Sequence, residues 1–117
     1  MGITTDGLES FAYIIGNSGT TPTHMAIGTG SSTETVGQSG LLAETDRNAF
    51  TFNDLSTAQQ VTYVADFSST EISGTNLQEF GILNALVNGY LFHRTVIGSI
   101  TFAGDRELQL QSTIKIT

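Results

Sequence analysis

Residues 80–97 have the sequence FGILNALVNGYLFHRTVI, in which Asn88-Gly89 separates two apolar segments rich in β-forming residues. A two-residue type I′ turn needs a positive φ at both positions, and Asn-Gly is among the dipeptides that meet this need most readily. The segment therefore predicts a β-hairpin, and it places the protein among those built mainly from strands.

Two further segments alternate with the period of a strand. Around residues 61–67, one face carries Val61, Tyr63, Ala65 and Phe67. The C-terminal segment has the more regular pattern, with Leu108, Leu110, Ile114 and Ile116 facing one way and Glu107, Gln109, Gln111, Thr113, Lys115 and Thr117 facing the other. One face of such a strand is buried and the other meets water or a polar partner.

The rest of the chain supplies shorter elements. Residues 23–30 predict a strand that ends in glycine, residues 49–52 predict another, and residues 41–47 fit either a helical turn or an edge strand. Near the N-terminus, an apolar stripe at helical spacing predicts a short helix that lies on the sheet, with Asp6 as its cap and Glu9 three residues later. The members of that stripe are Leu8, Phe11, Ala12 and Ile15.

Together these elements predict one domain over residues 1–117, mainly β, with a flexible arm at about residues 1–5. Several short strands separated by turns favour an antiparallel, jelly-roll-like β-sandwich with one short N-terminal helix.

Composition excludes several classes of function. Four Lys and Arg residues stand against eleven carboxylates, for a net charge of −7, so no stripe that neutralises phosphates can form and direct nucleic-acid binding is not expected. The chain has no Cys. Because residues 1–6 contain neither a basic region nor a long apolar run, we expect neither a signal peptide nor a membrane span. Only 13% of the residues are charged. Soluble surfaces usually carry about 25–35% charged residues, so this composition favours a surface that is paired with partners.

The motifs that could carry chemistry are weak. Gly28-Thr29-Gly30 is not followed by the Gly-Lys-Ser/Thr of a phosphate loop, so we interpret its glycines as allowing a sharp turn or close packing. His24 and His93 have no second ligand at metal-binding spacing and are interpreted as structural histidines.

The acidic residues also favour a structural interpretation. Glu44, Glu71 and Glu79 lie near Arg47 and Arg94 in the pattern, and with so few bases each of these arginines is expected to have a carboxylate partner. No pair of carboxylates can be assigned to one cleft as a glycosidase would require. We therefore predict no catalytic residue, no metal ligand and no cofactor, and the protein is not expected to be an enzyme.

Several motifs are recognisable together: PTHMAIGTG at residues 22–30, LLAETDR at 41–47, LQEFGI at 77–82, GYLFHR at 89–94 and the alternating C-terminal segment. In this order and spacing they resemble a family of small β-rich virion proteins of tailed phages and related archaeal viruses. The resemblance extends over most of the chain from Leu8 onward. It implies a structural, non-enzymatic role, since the pattern occurs in free-standing virion proteins and in domains of tail-fibre or baseplate components.

Within that family, we expect a capsid decoration (cement) protein that is made in the host cytoplasm and binds the outside of the capsid lattice. The chain ends directly after its last predicted strand, without a fibrous shaft, which favours decoration over a fibre. The expected partners are the major capsid protein and other copies of the chain, as a homotrimer. The alternatives are a tail or baseplate component, including the virion-attachment domain of a fibre, and a carbohydrate-binding β-sandwich. That last alternative needs stacking platforms from Tyr13, Tyr63 and Tyr90, and the absence of Trp counts against it.

The segments expected to contact a partner are the N-terminal arm and the Ser/Thr/Gly-rich loop at residues 31–40, because both are predicted to be flexible and outside the core. The individual residues are Met1, Gly2, Ile3, Thr4, Thr5, Ser31, Ser32, Thr33, Glu34 and Thr35.

Overall fold

The structure, a computed structural model, describes residues 4–7, 21–35, 37–56 and 58–115. It confirms the predicted fold class, because the described residues are mainly β and form two antiparallel sheets. The strands are β1 (His24–Gly28), β2 (Glu44–Ala49), β3 (Phe52–Asp54), β4 (Gln60–Phe67), β5 (Asn76–Leu83), β6 (Leu91–Thr101) and β7 (Leu108–Lys115), with the short helix α1 (Ser69–Ile72) between β4 and β5. The strand order is β2-β1-β5-β6 in the four-stranded sheet and β3-β4-β7 in the three-stranded sheet.

The core lies between the two sheets. Met25, Ile27 and Ile82 of the four-stranded sheet form one buried cluster with Tyr63 and Phe67 of the three-stranded sheet. The faces predicted for β4 and for β7 up to Lys115 are those observed, since the apolar side of each strand packs on this cluster and the polar side of β7 is exposed. Ile116 and Thr117 lie outside the described residues. Burial of apolar surface from both sheets is what holds a β-sandwich together.

The predicted hairpin is present, although its connection is longer than predicted. Strands β5 and β6 pair antiparallel, and Asn88 and Gly89 have φ values of 57° and 80°. The prediction of a two-residue turn was wrong, because residues 84–90 all lie between the two strands. The Asn84 side chain accepts a hydrogen bond from the Tyr90 backbone N–H at 2.8 Å, which closes a wider loop than Asn88-Gly89 would form alone.

Residues 41–54 contain two short strands with a break between them. The ambiguous segment at 41–47 leads into β2, which is an edge strand of the four-stranded sheet. The predicted strand at 49–52 was wrong, because β2 ends at Ala49 and β3 begins at Phe52. Between them the chain crosses from one sheet to the other: the Phe50 N–H donates to the Thr23 carbonyl at 2.9 Å, and the Thr51 N–H donates to the Val64 carbonyl at 2.7 Å.

Helix α1 was not predicted, although its start has a recognisable signature. The Ser68 hydroxyl accepts from the Glu71 N–H at 3.3 Å, and the Glu71 carboxylate accepts from the Ser68 N–H at 2.9 Å. This reciprocal pair is a capping box of the form S-x-x-E. The helix buries Ile72 in the core.

The N-terminal segment is capped by a different residue from the one predicted. Residues 5–7 are helical, and the Thr4 hydroxyl accepts a hydrogen bond from the Gly7 N–H at 3.0 Å. Thr4 therefore caps this turn, and the assignment of Asp6 as the cap was wrong. The apolar stripe predicted at residues 8–15 lies outside the described residues.

Replacing Gly89 by alanine tests the hairpin loop. Gly89 has a positive φ, and a Cβ atom there would lie 2.7 Å from the Asn84 side-chain oxygen and 2.9 Å from the Ala85 Cβ. We expect Gly89→Ala to lower the free energy of unfolding by about 2 kcal/mol in denaturant titration. Gly98→Ala is the matched control, since a Cβ there meets nothing within 4 Å. Equal stability of the two variants would contradict the assigned role of Gly89.

Candidate functional site

The feature around which the motif residues gather is the carboxylate of Glu79 on β5. Phe80 and Ile82 pack on the core between the sheets. Because successive strand residues point to opposite faces, Glu79 and Gly81 lie on the other face of the four-stranded sheet, away from the three-stranded sheet. Glu79 is nevertheless fully buried, so another part of the chain must cover it.

Four hydrogen bonds satisfy the Glu79 carboxylate. The Arg94 Nε atom donates to Oε1 at 2.6 Å, and the backbone N–H groups of Gly30, Leu42 and Ala43 donate at 2.8, 3.0 and 2.8 Å. Burial opposes ionisation of Glu79, but the hydrogen bonds from Arg94 and from these backbone groups outweigh it and lower the pKa of the carboxyl. Glu79 is therefore ionised, and hydrogen bonds from protein groups replace those that water would make to its carboxylate.

The glycines of Gly28-Thr29-Gly30 make room for this carboxylate. A Cβ atom on Gly28 would lie 2.6 Å from Glu79 Oε2, and one on Gly30 would lie 2.5 Å from the same atom. The Gly28 position also approaches the Ala43 carbonyl oxygen, at 2.5 Å. This confirms the interpretation that these glycines serve close packing.

Arg94 continues the network into the loop at residues 29–43. One terminal nitrogen donates to the Ser32 carbonyl at 2.8 Å and approaches the Gln38 side-chain oxygen at 3.4 Å. The other donates to the Gly30 carbonyl at 3.4 Å. Leu41, from the same loop, packs on the small cluster of Ala26, Leu83 and Leu91. The loop is therefore fixed over the outer face of the four-stranded sheet.

Arg47 fixes a second loop on the same side of the sheet. On β2 it forms an ion pair with Glu44 at 2.7 Å. The same guanidinium donates to the carbonyls of Ala85 and Asn88, at 2.9 and 2.8 Å, in the loop that connects β5 and β6. The prediction that Arg47 and Arg94 each have a carboxylate partner is confirmed.

We call the surface formed by residues 29–35, 37–43 and 84–90 the loop face. Three large apolar side chains are exposed on it, Leu42 at 51%, Leu86 at 63% and Val87 at 70%. The sequence pattern did not identify them as exposed. An apolar pair such as Leu86-Val87 in a hairpin has the same pattern whether its side chains are buried or exposed. The two arginines hold both loops in place, so these side chains project from a fixed framework.

The predicted contact residues fall into four groups. Ser31, Ser32, Thr33 and Thr35 are exposed on the loop face, where Glu34 is half-buried, while Met1, Gly2 and Ile3 lie outside the described residues. Thr5 is exposed. Thr4 does not belong to a free arm: it is only 2% exposed, its N–H donates to the Phe92 carbonyl at 2.9 Å, and its hydroxyl donates to the Leu91 carbonyl.

Both histidines lie in strands. His24 shares a hydrogen bond of 2.7 Å with the Thr23 hydroxyl. His93 is 1% exposed, and its Nε2 atom lies 3.2 Å from the Ser112 hydroxyl, while its Nδ1 atom has no hydrogen-bond partner. Burial of the ring lowers the pKa of His93 to about 4. The imidazole is therefore neutral at physiological pH.

An open cleft of about 550 Å³ is bounded by the end of β4, the start of α1 and the start of β7. Two of its three acidic groups, Asp66 and Glu71, accept hydrogen bonds within the protein. The Thr51 hydroxyl and the Gln109 amide lower the pKa of Asp66, and the Ser68 N–H is the main cause of the lowered pKa of Glu71. The residues that line the cleft are Asp66, Phe67, Ser68, Glu71, Glu107, Leu108 and Gln109. Within the described ranges, no group of three or more His, Asp or Glu side chains is arranged to hold a metal ion.

The three tyrosines are the side chains that a carbohydrate-binding β-sandwich would use as stacking platforms. Tyr63 is 8% exposed, and its ring stacks on Phe50 with the centroids 4.5 Å apart, inside the sandwich. Tyr90 is half-buried, and Tyr13 lies outside the described residues. Tyr63 therefore cannot provide the stacking surface that a carbohydrate-binding function would need.

Comparison with known proteins gave no family: no protein-family model matches the sequence, and no curated protein matches it. In the part of the chain that the structure describes, no helix is long and apolar enough to cross a membrane.

Removing the charge of Glu79 tests the buried network. In Glu79→Gln the guanidinium of Arg94 stays buried without its counter-charge, so we expect a loss of about 3–5 kcal/mol in the free energy of unfolding. Glu44→Gln is the control: it removes the carboxylate of the partly exposed pair with Arg47 and is expected to cost less than about 1 kcal/mol. Denaturant unfolding of both variants measures the difference, and similar losses would contradict the role given to Glu79.

The buried His93 predicts a loss of stability in mild acid. Its pKa is about 4 in the folded protein against 6.5 when free. The unfolded chain therefore binds more protons between these values, so stability is complete above pH 6.5 and falls as the pH drops to about 4. The expected loss from this group is about 3 kcal/mol.

Denaturant unfolding at a series of pH values measures this loss, and His93→Gln is the matching variant because a neutral amide does not titrate. Its stability should fall less steeply than that of the natural chain across the same window. His24, whose pKa burial also lowers, is retained in both proteins. Parallel curves for the two proteins would show that His93 does not cause the loss.

Proposed function

We propose that this protein is a structural component of the virion of a tailed virus, a capsid decoration protein that binds the outside of the capsid lattice. The observation that supports this most directly is the convergence of the motifs that carry the family resemblance. Gly28-Thr29-Gly30, Leu42-Ala43, Glu79 and Arg94 come from separate motifs and meet in one buried network.

The chemistry of that network is structural. Every donor around the Glu79 carboxylate is either a backbone N–H or the Arg94 guanidinium, and the carboxylate is fully buried. A group enclosed in this way cannot reach a substrate, whereas it can fix a loop in one conformation. The motif residues are thus accounted for by shaping a surface, which is the task of a protein whose function is assembly.

The loop face has the properties of an assembly surface. It combines exposed Leu42, Leu86 and Val87 with the hydroxyl-rich segment Ser31–Thr35. Apolar anchors with a polar, weakly charged surround are typical of protein interfaces, and few charges have to lose their hydration when such a surface is covered. Fixed loops also lose little conformational entropy on binding. We therefore assign the loop face as the surface that contacts the major capsid protein.

Copy number and location on purified virions test the proposal. Quantitative mass spectrometry of virions, heads and tails should find the protein on heads in hundreds of copies. About three to a few dozen copies that fractionate with tails would overturn the decoration role in favour of the tail or baseplate alternative. Absence from virions would remove the virion proposal altogether.

Binding to purified heads tests the assignment of the loop face as the contact surface. When purified protein is added to heads that lack it, the double variant Leu86→Ser/Val87→Ser should reduce occupancy by about tenfold or more, since two apolar anchors of about 1 kcal/mol each are removed. Leu55→Ser is the control, because Leu55 is 71% exposed but follows β3 in the other sheet. Equal occupancy by both variants would place the contact elsewhere.

A further inference from the structure

The outer edge of β7 is a long, regular strand edge. Among the described residues, β7 has a neighbouring strand on one side only, which is β4. Its register with β4 is continuous from Phe67↔Leu108 to Gln60↔Lys115, without a bulge. An edge of this kind presents a row of backbone N–H and C=O groups to any strand that approaches it.

Within the part of the chain that the structure describes, the other three sheet edges carry features that hinder pairing, and β7 carries none. Edge strand β2 is charged at Glu44, Asp46 and Arg47 and has a register shift, and β3 is only three residues long. Edge strand β6 has two register shifts against β5, and the Thr4 N–H donates to the carbonyl of Phe92, near the start of β6. Strand β7 contains neither proline nor an internal charge, since Lys115 is its last residue. Proteins usually protect such edges, so an unprotected one suggests a partner.

We propose that β7 pairs antiparallel with β7 of a second copy of this chain, with Gln111 opposite the second copy's Gln111. In this register Glu107 lies opposite the second copy's Lys115, and twofold symmetry repeats that ion pair at the other end. On the inner face, Leu108 lies opposite Ile114, and Leu110 lies opposite Ser112. On the outer face, Gln109 lies opposite Thr113. The two three-stranded sheets become one sheet of six strands.

The register follows from two constraints. If the twofold axis passed between Leu110 and Gln111 instead of through Gln111, inner-face Leu110 would lie opposite outer-face Gln111 of the second copy. The apolar and polar faces of the two strands would then no longer match. Moving the axis by a whole residue to Leu110 places Glu107 opposite Thr113 and moves the partner of Lys115 to Asp105, in the bend before β7. Moving it to Ser112 places Lys115 opposite Gln109. The register centred on Gln111 therefore matches the faces and places Glu107, the residue directly before β7, opposite Lys115, and opposite charges on facing strands stabilise the pair.

A contact of this kind closes with two copies, because each β7 edge is used once. It therefore predicts a dimer, whereas the family resemblance leads to the expectation of a homotrimer. The inference does not depend on the virion proposal, because it rests on strand geometry and charge alone.

Cysteine cross-linking tests the register directly, since the natural chain has no Cys. In Gln111→Cys the two introduced cysteines face each other at about 4.5–5.5 Å between Cα atoms, within the range of a disulfide. In Thr113→Cys, the matched control, the second copy's residue 113 lies four residues along the strand, about 13 Å away, which is out of reach. We expect mild oxidation to convert Gln111→Cys largely to a covalent dimer and Thr113→Cys at least about tenfold less.

Charge reversal tests the ion pairs. Light scattering of the natural chain should give twice the 12.4 kDa chain mass. Glu107→Lys or Lys115→Glu alone creates two like-charged pairs per dimer and should weaken dimerisation about tenfold at low salt, whereas the double reversal should restore it. Circular dichroism confirms that each variant is folded. A monomer at all concentrations, a trimer, a dimer that is insensitive to the reversals, or equal cross-linking at positions 111 and 113 would each overturn the proposal.

Discussion

The ion pair between Glu79 and Arg94 is the constraint on which the rest of the structure depends. Both side chains are completely buried, and removing two charges from water costs several kcal/mol per ion. Three backbone N–H groups and one guanidinium donor offset this cost at the carboxylate. A pair of this kind adds little net stability compared with well-packed apolar residues. Its effect is specificity, because only one path of the loop at residues 29–43 supplies the donors that the carboxylate needs.

That requirement explains why the molecule has a third layer. A two-sheet sandwich leaves the outer face of each sheet in water, yet here Ala26, Leu83 and Leu91 are buried on the outer side of the four-stranded sheet. The loop covers them through Leu41, and Arg47 holds the β5–β6 loop beside it through the Ala85 and Asn88 carbonyls. With few charges in the chain, two of its four bases are used to place loops rather than to solubilise the surface.

The parts of this structure that could be predicted from the sequence are those determined locally. The apolar period of β4 and β7, the positive φ values at Asn88 and Gly89, and the sandwich class all follow from patterns within a few residues. The capping box at Ser68 is equally local and could have been found from S-x-x-E. The break between β2 and β3 and the burial of Thr4 could not, because each depends on a hydrogen bond to a distant part of the chain. The width of the β5–β6 loop depends on the hydrogen bond between Asn84 and Tyr90, which the Asn88-Gly89 pattern does not indicate. Gly28, Gly30, Glu79 and Arg94 can each be singled out in the sequence. That they meet in one network follows only from the register of the four-stranded sheet, which the sequence pattern does not give.

The loop face and the β7 edge lie on different sheets, and their geometry relates them. The twofold axis of an antiparallel strand pair runs perpendicular to the sheet, so both copies keep the same faces on the same side. A pair joined at β7 would therefore present its two loop faces in the same direction. Two linked contacts on one repetitive surface release far more slowly than one, because the second contact holds the first copy in place while it rebinds. A neutral polar strand edge and an apolar loop tip, each modest alone, would in this arrangement give a lattice-binding protein the long residence that its proposed function requires.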